Sequence, residues 1–330
     1  MSIPRITVAM SVYNNGSYVG AAIDSILAQS FGDFEFLIVN DGSTDKSAAV
    51  IDARAATDSR IRVIHQENKG FIDSLNRMFA EARSPWIARM DGDDVSHPER
   101  IARQLAFVEA NPDHGVVSCA AKLIGTDGKA LDKEVREKPL THDAIFANLE
   151  DGPLINHNAA LMARDPVIAV GGYRTAYRHC EDYDLWLRLI ERTRFANLPD
   201  ALVGYRIYPE QVSNRHLVEQ ARNAAISWQA RLERLAGRCD PTGELDTLPP
   251  LHDIDALFGR AGVATYVRKR VVNRMLYSPE ALSGDGHDIL LAYIAETGAE
   301  ARTWRAAARL LKSGRLRHAA LVAGTLLRAR

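Results

Sequence analysis

Four short apolar runs open the chain, and each breaks off into polar residues. Ile6 to Val12 gives way to Tyr13-Asn14-Asn15-Gly16, and Phe34 to Val39 to Asn40-Asp41-Gly42-Ser43-Thr44-Asp45. Ile61 to Ile64 leads to Asn68-Lys69-Gly70, and Trp86 to Met90 ends directly in Asp91-Gly92-Asp93-Asp94. Compact apolar runs bounded by turn residues predict buried strands. Between them the apolar positions fall at helical spacing: Val19, Ile23, Ile26 and Leu27, then Ala48, Ile51 and Ala55, then Leu75, Met78 and Phe79. Ser17 is placed to cap the first of these helices. Strands alternating with helices imply crossover connections and a parallel sheet, whose ligands bind beyond the carboxyl ends of the strands. Ser11 to Asn14, Asp41, Asn68 to Gly70 and Asp91 to Asp94 should therefore share one rim.

The alternation continues less regularly. Ser96-His97-Pro98-Glu99 has the form of a capping box ahead of a helix through Ile101, Leu105 and Val108, stopped at Asn111-Pro112. Val116 to Ile124 predicts a strand with a turn at Gly125–Gly128, Thr141 to Leu149 a short helix, and Asn158 to Ala163 a strand. A helical turn from Asp165 leads to Gly171-Gly172. Glu181-Asp182-Tyr183-Asp184 opens an amphipathic helix carrying Leu185, Trp186, Leu189 and Ile190. Leu202 to Tyr208 predicts a late strand before a polar loop reaching Ser213. After His216 the pattern turns helical: residues 219–236, a linker from Cys239 to Pro250, then helices from Ile254 to Leu276 and from Asp288 to Leu327 with a break at Ser313-Gly314.

Composition changes this picture little. A chain of 330 residues, 46% hydrophobic and 25% charged, can bury a large core in about two domains. The boundary reads at 215/216, with a nucleotide-binding part of about 1–112 and an acceptor part of about 113–215 ahead of a helical region, 216–330. A net charge of -1 argues against nucleic acid as partner. Three cysteines, Cys119, Cys180 and Cys239, give neither zinc spacing nor a disulfide framework. Without a signal-peptide core or an apolar stretch long enough to span a bilayer, the expectation is an intracellular, cytoplasmic protein. Residues 301–330 carry eight Lys or Arg and no acid, interspersed with Trp304, Leu310, Leu311, Leu316, Leu321, Leu326 and Leu327. Such a tail can lie on an anionic membrane surface at the inner face, or pack on the protein's own body or a partner subunit.

The chemistry concentrates in two acidic clusters. Carboxylates about 4 Å apart repel by roughly 4 kcal/mol in a protein-like dielectric, so a group fixed at a strand end invites a cation. Oxygen ligands suit Mg²⁺ or Mn²⁺, and Gly92 lets a ligand approach the backbone. The acids at Glu181-Asp182 favour a helix N-terminus, which does not explain why Cys180, Trp186 and other aromatics crowd them.

Together these stretches resemble the inverting nucleotide-sugar glycosyltransferases of family 2, with the GT-A fold: a Rossmann-like α/β nucleotide-binding sheet with helices on both faces. The matching segments are Val8–Asn14, Val39–Asp45, Asn68-Lys69-Gly70, Met90–Asp94 and Glu181-Asp182, in the family's order over about residues 5–215. The resemblance implies that Asp41 accepts the ring N–H of uracil, with Ser11, Tyr13 and Asn14 against base and ribose and Asn68 and Gly70 beside them. It implies that Asp91 holds ribose or metal, that Asp93 binds the divalent ion on the diphosphate, and that Asp182 is the general base. Asp94 receives no role. His157, Glu181, Trp186, Arg206 and Tyr208 are candidates to line the donor and acceptor pocket, although for His157 a structural role is the stronger expectation. The family often carries histidine where this chain has Tyr208, and a phenol is a poor divalent-ion ligand near neutral pH. Gln-x-x-Arg-Trp, the processive-synthase signature, does not follow Asp182, which points to adding a single sugar. The implied partners are a nucleotide-sugar donor, a glycan or lipid-linked glycan acceptor in cell-surface polysaccharide or glycolipid assembly, and a second copy of the chain.

Three other classes bear comparison. A nucleotidyltransferase would begin with a glycine-rich loop plus Arg or Lys, which Ser11-Val12-Tyr13-Asn14 is not, and a dinucleotide oxidoreductase needs Gly-x-Gly-x-x-Gly after its first strand. A non-catalytic nucleotide-sugar-binding or scaffold protein would have no use for Asp182 alongside Asp93.

Overall fold

The computed structural model describes residues 3–133, 135, 137–208 and 216–329. The expected polar loop as far as Ser213 lies outside the described residues, as do Arg330 and the first two residues. The chain forms two compact units, residues 1–174 with 181–209, and residues 175–180 with 210–330.

The first unit is built on one eight-stranded sheet. Its strands are β1 (Ile6–Val12), β2 (Phe34–Asp41), β3 (Ile61–Gln66), β4 (Trp86–Asp91), β5 (Val95–Ser96), β6 (His114–Ile124), β7 (Leu161–Ala163) and β8 (Arg194–Arg206), in the order β3-β2-β1-β4-β7-β6-β8-β5. The first four are parallel, as the alternation predicts. β7 runs antiparallel between β4 and β6 and so marks where the second half of the sheet begins. Helix α1 (Val19–Leu27), α2 (Ser47–Ala55) and α4 (Arg100–Ala110) press Ile23, Ile26, Ile51, Ile101 and Leu105 onto Ile6, Val8, Met10, Phe36 and Ile38. Burying each such side chain contributes about 1.5–3 kcal/mol. Helix α3 (Phe71–Glu81) packs on β1 and β2 through another apolar stripe, Ile72, Leu75, Met78 and Phe79.

Strand ends run further than apolar content suggests. β2 continues through Asn40 and Asp41, β3 through Gln66 and β4 through Asp91, so polar residues at the rim are held by sheet hydrogen bonds. Ser11 pairs with Asp91, Val12 with Asn40, and Asp41 with Gln66. β8 begins at Arg194 rather than Leu202: Pro199-Asp200 interrupts its apolar pattern, and register shifts beside Cys119 and Ala120 absorb the irregularity. Ile207 and Tyr208 lie beyond its end. The strand expected from Asn158 starts only at Leu161, after a 3₁₀ turn at His157–Ala159. Thr141 accepts from Ala144 N–H and caps α5 (His142–Ala147), which ends before Leu149; the helical turn expected from Asp165 is α6 (Arg164–Ala169).

Two expected caps do not form. α1 starts beyond Tyr18 with no side-chain cap; the Asn15 carbonyl takes the N–H groups of Tyr18 and Val19, both at 2.9 Å, leaving Ser17 no part. α4 starts at Arg100, because Ser96 is in β5 and its hydroxyl accepts from Gln29 instead of from a helix N–H.

The second unit is helical, with Leu217–Leu235, Val263–Met275, His287–Thr297, Ala301–Lys312 and Leu316–Arg328 as its longer helices. Their core is Ile226, Val267, Val271, Tyr293, Ile294, Leu310, Val322 and Leu326. The helix expected over Ile254–Leu276 breaks at Gly259 and Gly262, both at positive φ, and the one from Asp288 breaks at Gly298 as well as at Ser313-Gly314. The basic tail packs on its own unit through Ala306, Ala307, Leu310, Ala319, Val322 and Leu326. Its other face leaves Leu311, Leu316, Leu321 and Leu327 more than half exposed.

Candidate active site

The rim begins with two loops that hold each other. Asn14 adopts a left-handed conformation (φ 53), tolerable for asparagine. Its Oδ1 accepts from Thr44 N–H at 2.8 Å, while its own N–H donates to Ser43 Oγ at 3.0 Å. Ser47 Oγ and Asp45 Oδ2 accept from the N–H groups of Asn15 and Gly16, both at 2.9 Å. Tyr13 is half exposed beside them. Asp41, 2% exposed, accepts from Lys69 N–H and Gly70 N–H at 2.9 Å each and from Gln66 Nε2 at 2.7 Å. Its carboxylate thereby fixes the Asn68–Gly70 loop. An ionised carboxyl has about four acceptor sites, so three bonds leave room for one more donor.

The acidic cluster sits where β4 stops. Ligand oxygens of Asp91, Asp93 and Asp94 lie within 4.8 Å of one another. They are not equivalent. Arg89, buried on the same strand two residues earlier, grips both oxygens of Asp91 at 2.7 and 2.5 Å. Asp94, 1% exposed, accepts from Arg206 N–H at 2.8 Å and from Asn158 Nδ2, so its oxygens are occupied by the fold. Among the described residues, Asp93 receives one side-chain bond, from the Tyr208 hydroxyl to Oδ2 at 2.8 Å. Burial and then the neighbouring charge of Asp91 raise the Asp93 carboxyl above its usual range, against the pull of Tyr208 and Arg89. The same two causes, with Asp93 added, push Asp94 up further. A hard divalent cation relieves this kind of crowding, and the all-oxygen donor set fits Mg²⁺ or Mn²⁺. Asp93 offers the least committed oxygens, Asp91 the next.

Arg206, 3% exposed, is the brace of this loop. Its guanidinium donates to the carbonyls of Asp93 at 2.6 Å, Gly125 at 2.8 Å and Thr126 at 3.0 Å, and it lies 4.6 Å from the Tyr18 ring. Tyr18 also packs on Tyr208, with ring centroids 5.5 Å apart. Tyr208 thus acts on Asp93 as a hydrogen-bond donor.

The second acidic pair opens α7 (Glu181–Leu189). Burial raises the Asp182 carboxyl against the Tyr183 N–H, which donates at 2.7 Å, and against the charges of Arg89 and Lys138. Glu181 is pushed up to about 7 by burial and by Asp182, and Asp91 adds to the rise. Arg89, in contact with Asp91, therefore also acts on both acids of α7, and the two clusters share one electrostatic field. Lys138, whose ammonium donates to Asn156 Oδ1, is held down at about 8 by burial, against the pull of Asp182. His157 is engaged by the Tyr173 hydroxyl at 2.7 Å and lies edge-on to Trp186, centroids 5.8 Å apart. Burial drives its imidazole well below the usual range, which keeps it neutral. Trp186, 1% exposed, also packs on Phe195, which places it in the core rather than on a pocket wall.

Three participants escape sequence reasoning. Arg89 carries a faint signal, a lone charge inside an apolar strand on the same face as Asp91. Lys138 stands in a polar stretch without periodicity and carries none. Asn158 looks like a strand residue and instead serves Asp94.

A mixed α/β sheet whose rim combines a clamped loop pair, an oxygen cluster and two acids at the start of a later helix has the GT-A type of fold. Comparison with known proteins agrees. The pattern "Glycosyl transferase family 2" matches residues 7–171. The chain is 32% identical over 210 residues to the O-antigen biosynthesis glycosyltransferase WbnJ of Escherichia coli, covering 62% of this chain and 81% of that one. Among solved structures, S. aureus TarS 1-349 in complex with UDP superposes with a TM-score of 0.57 at 16% identity, covering 98% of this chain and 90% of that one. The mannosyltransferase PcManGT from Pyrobaculum calidifontis, in complex with GDP-Man and Mn²⁺, gives 0.54 at 18% identity, with 99% and 88% covered. The chain belongs to glycosyl transferase family 2 and is a glycosyltransferase.

Proposed function

We propose that this enzyme moves one sugar from a nucleoside-diphosphate donor, a UDP-sugar, to an acceptor hydroxyl with inversion at the anomeric carbon. The observation that carries the reading is the oxygen cluster where β4 ends, with Asp91, Asp93 and Asp94 within 4.8 Å of one another and Asp93 the least committed of the three; Asp182 on α7 supplies the second acid. Donor diphosphate at the first and acceptor hydroxyl at the second would bring nucleophile and leaving group to opposite sides of one carbon.

In this reading the fourth acceptor site of Asp41 takes the uracil N–H, while Ser11, Tyr13, Asn14, Asn68 and Gly70 surround base and ribose. Asp93, with Asp91, holds a divalent ion, Mn²⁺ or Mg²⁺, which when bound offsets negative charge on the departing diphosphate. Asp182 accepts the acceptor's hydroxyl proton as that oxygen bonds to the anomeric carbon and the bond to the β-phosphate oxygen breaks. The raised carboxyl is a better base than an ordinary aspartate. Glu181 and Lys138 flank the acceptor. A role in polysaccharide or glycolipid assembly is supported by likeness to a protein of O-antigen biosynthesis. A lipid-linked acceptor suits the basic tail, whose exposed Leu311, Leu316, Leu321 and Leu327 would rest on the cytoplasmic face of an anionic membrane. Among the described residues no helix is long and apolar enough to cross one.

The test separates the two clusters. Asp93→Asn should abolish Mn²⁺-dependent UDP binding in calorimetry. Asp182→Asn should bind UDP normally yet lose transfer by about 10²–10⁴-fold, the usual worth of a general base. If both variants bind and transfer like the parent, the assignment falls. A thermal-shift screen of nucleotide sugars identifies the donor.

A further inference from the structure

Apart from the aspartates at the rim, the described residues gather one other group of potential metal ligands: His179, His216 and Glu219, whose nearest ligand atoms all lie within 4.8 Å of one another. All three belong to the helical unit. His179 Nε2 is 3.8 Å from Glu219 Oε2, and His216 Nδ1 is 3.6 Å from the same oxygen. These separations exceed hydrogen-bond length. They come close to the edge of a tetrahedron around zinc, about 3.4 Å for bonds of about 2.0–2.1 Å.

We infer that His179, His216 and Glu219 form a second cation site, selective for zinc-like ions and chemically distinct from the oxygen cluster at the rim. Two imidazoles and one carboxylate are the ligand set of open zinc sites, with a fourth position left for water. Imidazole favours zinc, copper and nickel over magnesium and manganese, whereas carboxylates alone do the reverse.

The scaffold supports the assignment. Helix Leu217–Leu235 presents His216 at its N-cap and Glu219 in its first turn. A carboxylate there also favours the helix dipole, which accounts for Glu219 but not for a second imidazole, His179, brought to it from a separate segment. His179 comes from a short stretch pinned to the same helix, because Asn223 Nδ2 donates to the Arg178 carbonyl at 2.9 Å. The Tyr177 hydroxyl bonds Thr242 Oγ1 at 2.8 Å and fixes the stretch from its other side. His179 itself is held at φ 61, a backbone conformation few non-glycine residues adopt, and this aims its ring at His216. The rings stack with centroids 3.7 Å apart and planes at 15°. An imidazole binds a metal through the lone pair in its ring plane, so taking up one ion requires both rings to rotate out of the stack, and side-chain exposures of 19% and 39% leave room for that rotation.

Metal-stripped full-length protein titrated with Zn²⁺ against a chromophoric chelator tests the site. The expected result is one tight equivalent that persists in Asp93→Asn and is not displaced by excess Mn²⁺. His216→Ala should weaken it on the order of 100-fold and Glu219→Gln about tenfold or more. Co²⁺ added to the unaltered protein should give a visible absorption band of a low-coordinate nitrogen/oxygen site, which requires no variant to fold. Failure to bind Zn²⁺, or equal affinity in the parent and both folded variants, overturns the inference. Because the readout is metal binding alone, that failure would leave the assignments of Asp93 and Asp182 untouched.

Discussion

At the scale of single residues, the site works by unequal sharing of charge. Asp91 is neutralised by Arg89, Asp94 is bonded into the fold, and Asp93 is left with capacity to spare. The rise of Asp182 above the usual carboxylate range gives a kinetic expectation. As the proposed base, Asp182 must be ionised, so the acid limb of kcat/KM should lie above about 4, the ordinary value for aspartate. Lys138 pulls that value down; Lys138→Met should therefore move the acid limb to higher pH, measured as the pH profile of kcat/KM under saturating metal. An unchanged limb would mean that Lys138 does not face the base. Much of this was legible beforehand, because carboxylates and glycines at strand ends advertise themselves by type. What was hidden was partnership: nothing in Arg206-Ile207-Tyr208 says that its backbone serves Asp94 and its phenol Asp93, since those contacts span more than a hundred residues of chain.

At the scale of elements, the rim depends on close approach between loops. Gly42 has φ 70, and a Cβ there would stand 2.6 Å from the Asn68 backbone nitrogen. Gly42→Ala should destabilise the protein by about 1–3 kcal/mol through strain and, by pushing the Asn68–Gly70 loop off Asp41, weaken UDP binding more than its loss of stability explains. Chemical denaturation and calorimetry on the same variant separate the two effects. α7 is anchored by Asp184, 0% exposed, which accepts from Arg188 at 2.7 Å and from Arg174. Burial pushes its carboxyl up, but Arg188 and Arg174 outweigh that and hold it below the usual range. Its contribution to stability is therefore present above about pH 4 and is lost as pH falls through the depressed folded value. Asp184→Ala, which leaves two buried guanidinium groups short of a partner, should cost about 3–5 kcal/mol, read as a lower denaturation midpoint at unchanged slope. Helix and strand identities came from periodicity. Their ends did not, because the sheet lends hydrogen bonds to polar residues that a periodicity argument assigns to loops, and because Ser96 found a better use in β5 than in a cap.

At the scale of the whole molecule, the sequence announced a sheet-based half and a helical half but not that residues 175–180 join the helical one, since that crossing is made by packing alone. The tail shows the same limit. Its leucines looked alike in sequence, yet Leu310 and Leu326 are core while Leu311, Leu316, Leu321 and Leu327 face outward. Deleting the tail would therefore strip the core of the helical unit. Replacing the four outward leucines with glutamine should preserve the far-ultraviolet spectrum and lower co-sedimentation with anionic vesicles several-fold. Equal sedimentation would remove the membrane reading.

The order of strands across the sheet also dictates when a growing polypeptide becomes competent. Among the described strands β8 is made last, yet it delivers the amide that secures Asp94 and precedes the phenol that steadies Asp93. A nascent chain emerging from the ribosome passes through a stage in which the aspartates of β4 are already exposed but lack their brace. Grip on a cation should appear abruptly, only once residues near 208 have cleared the exit tunnel.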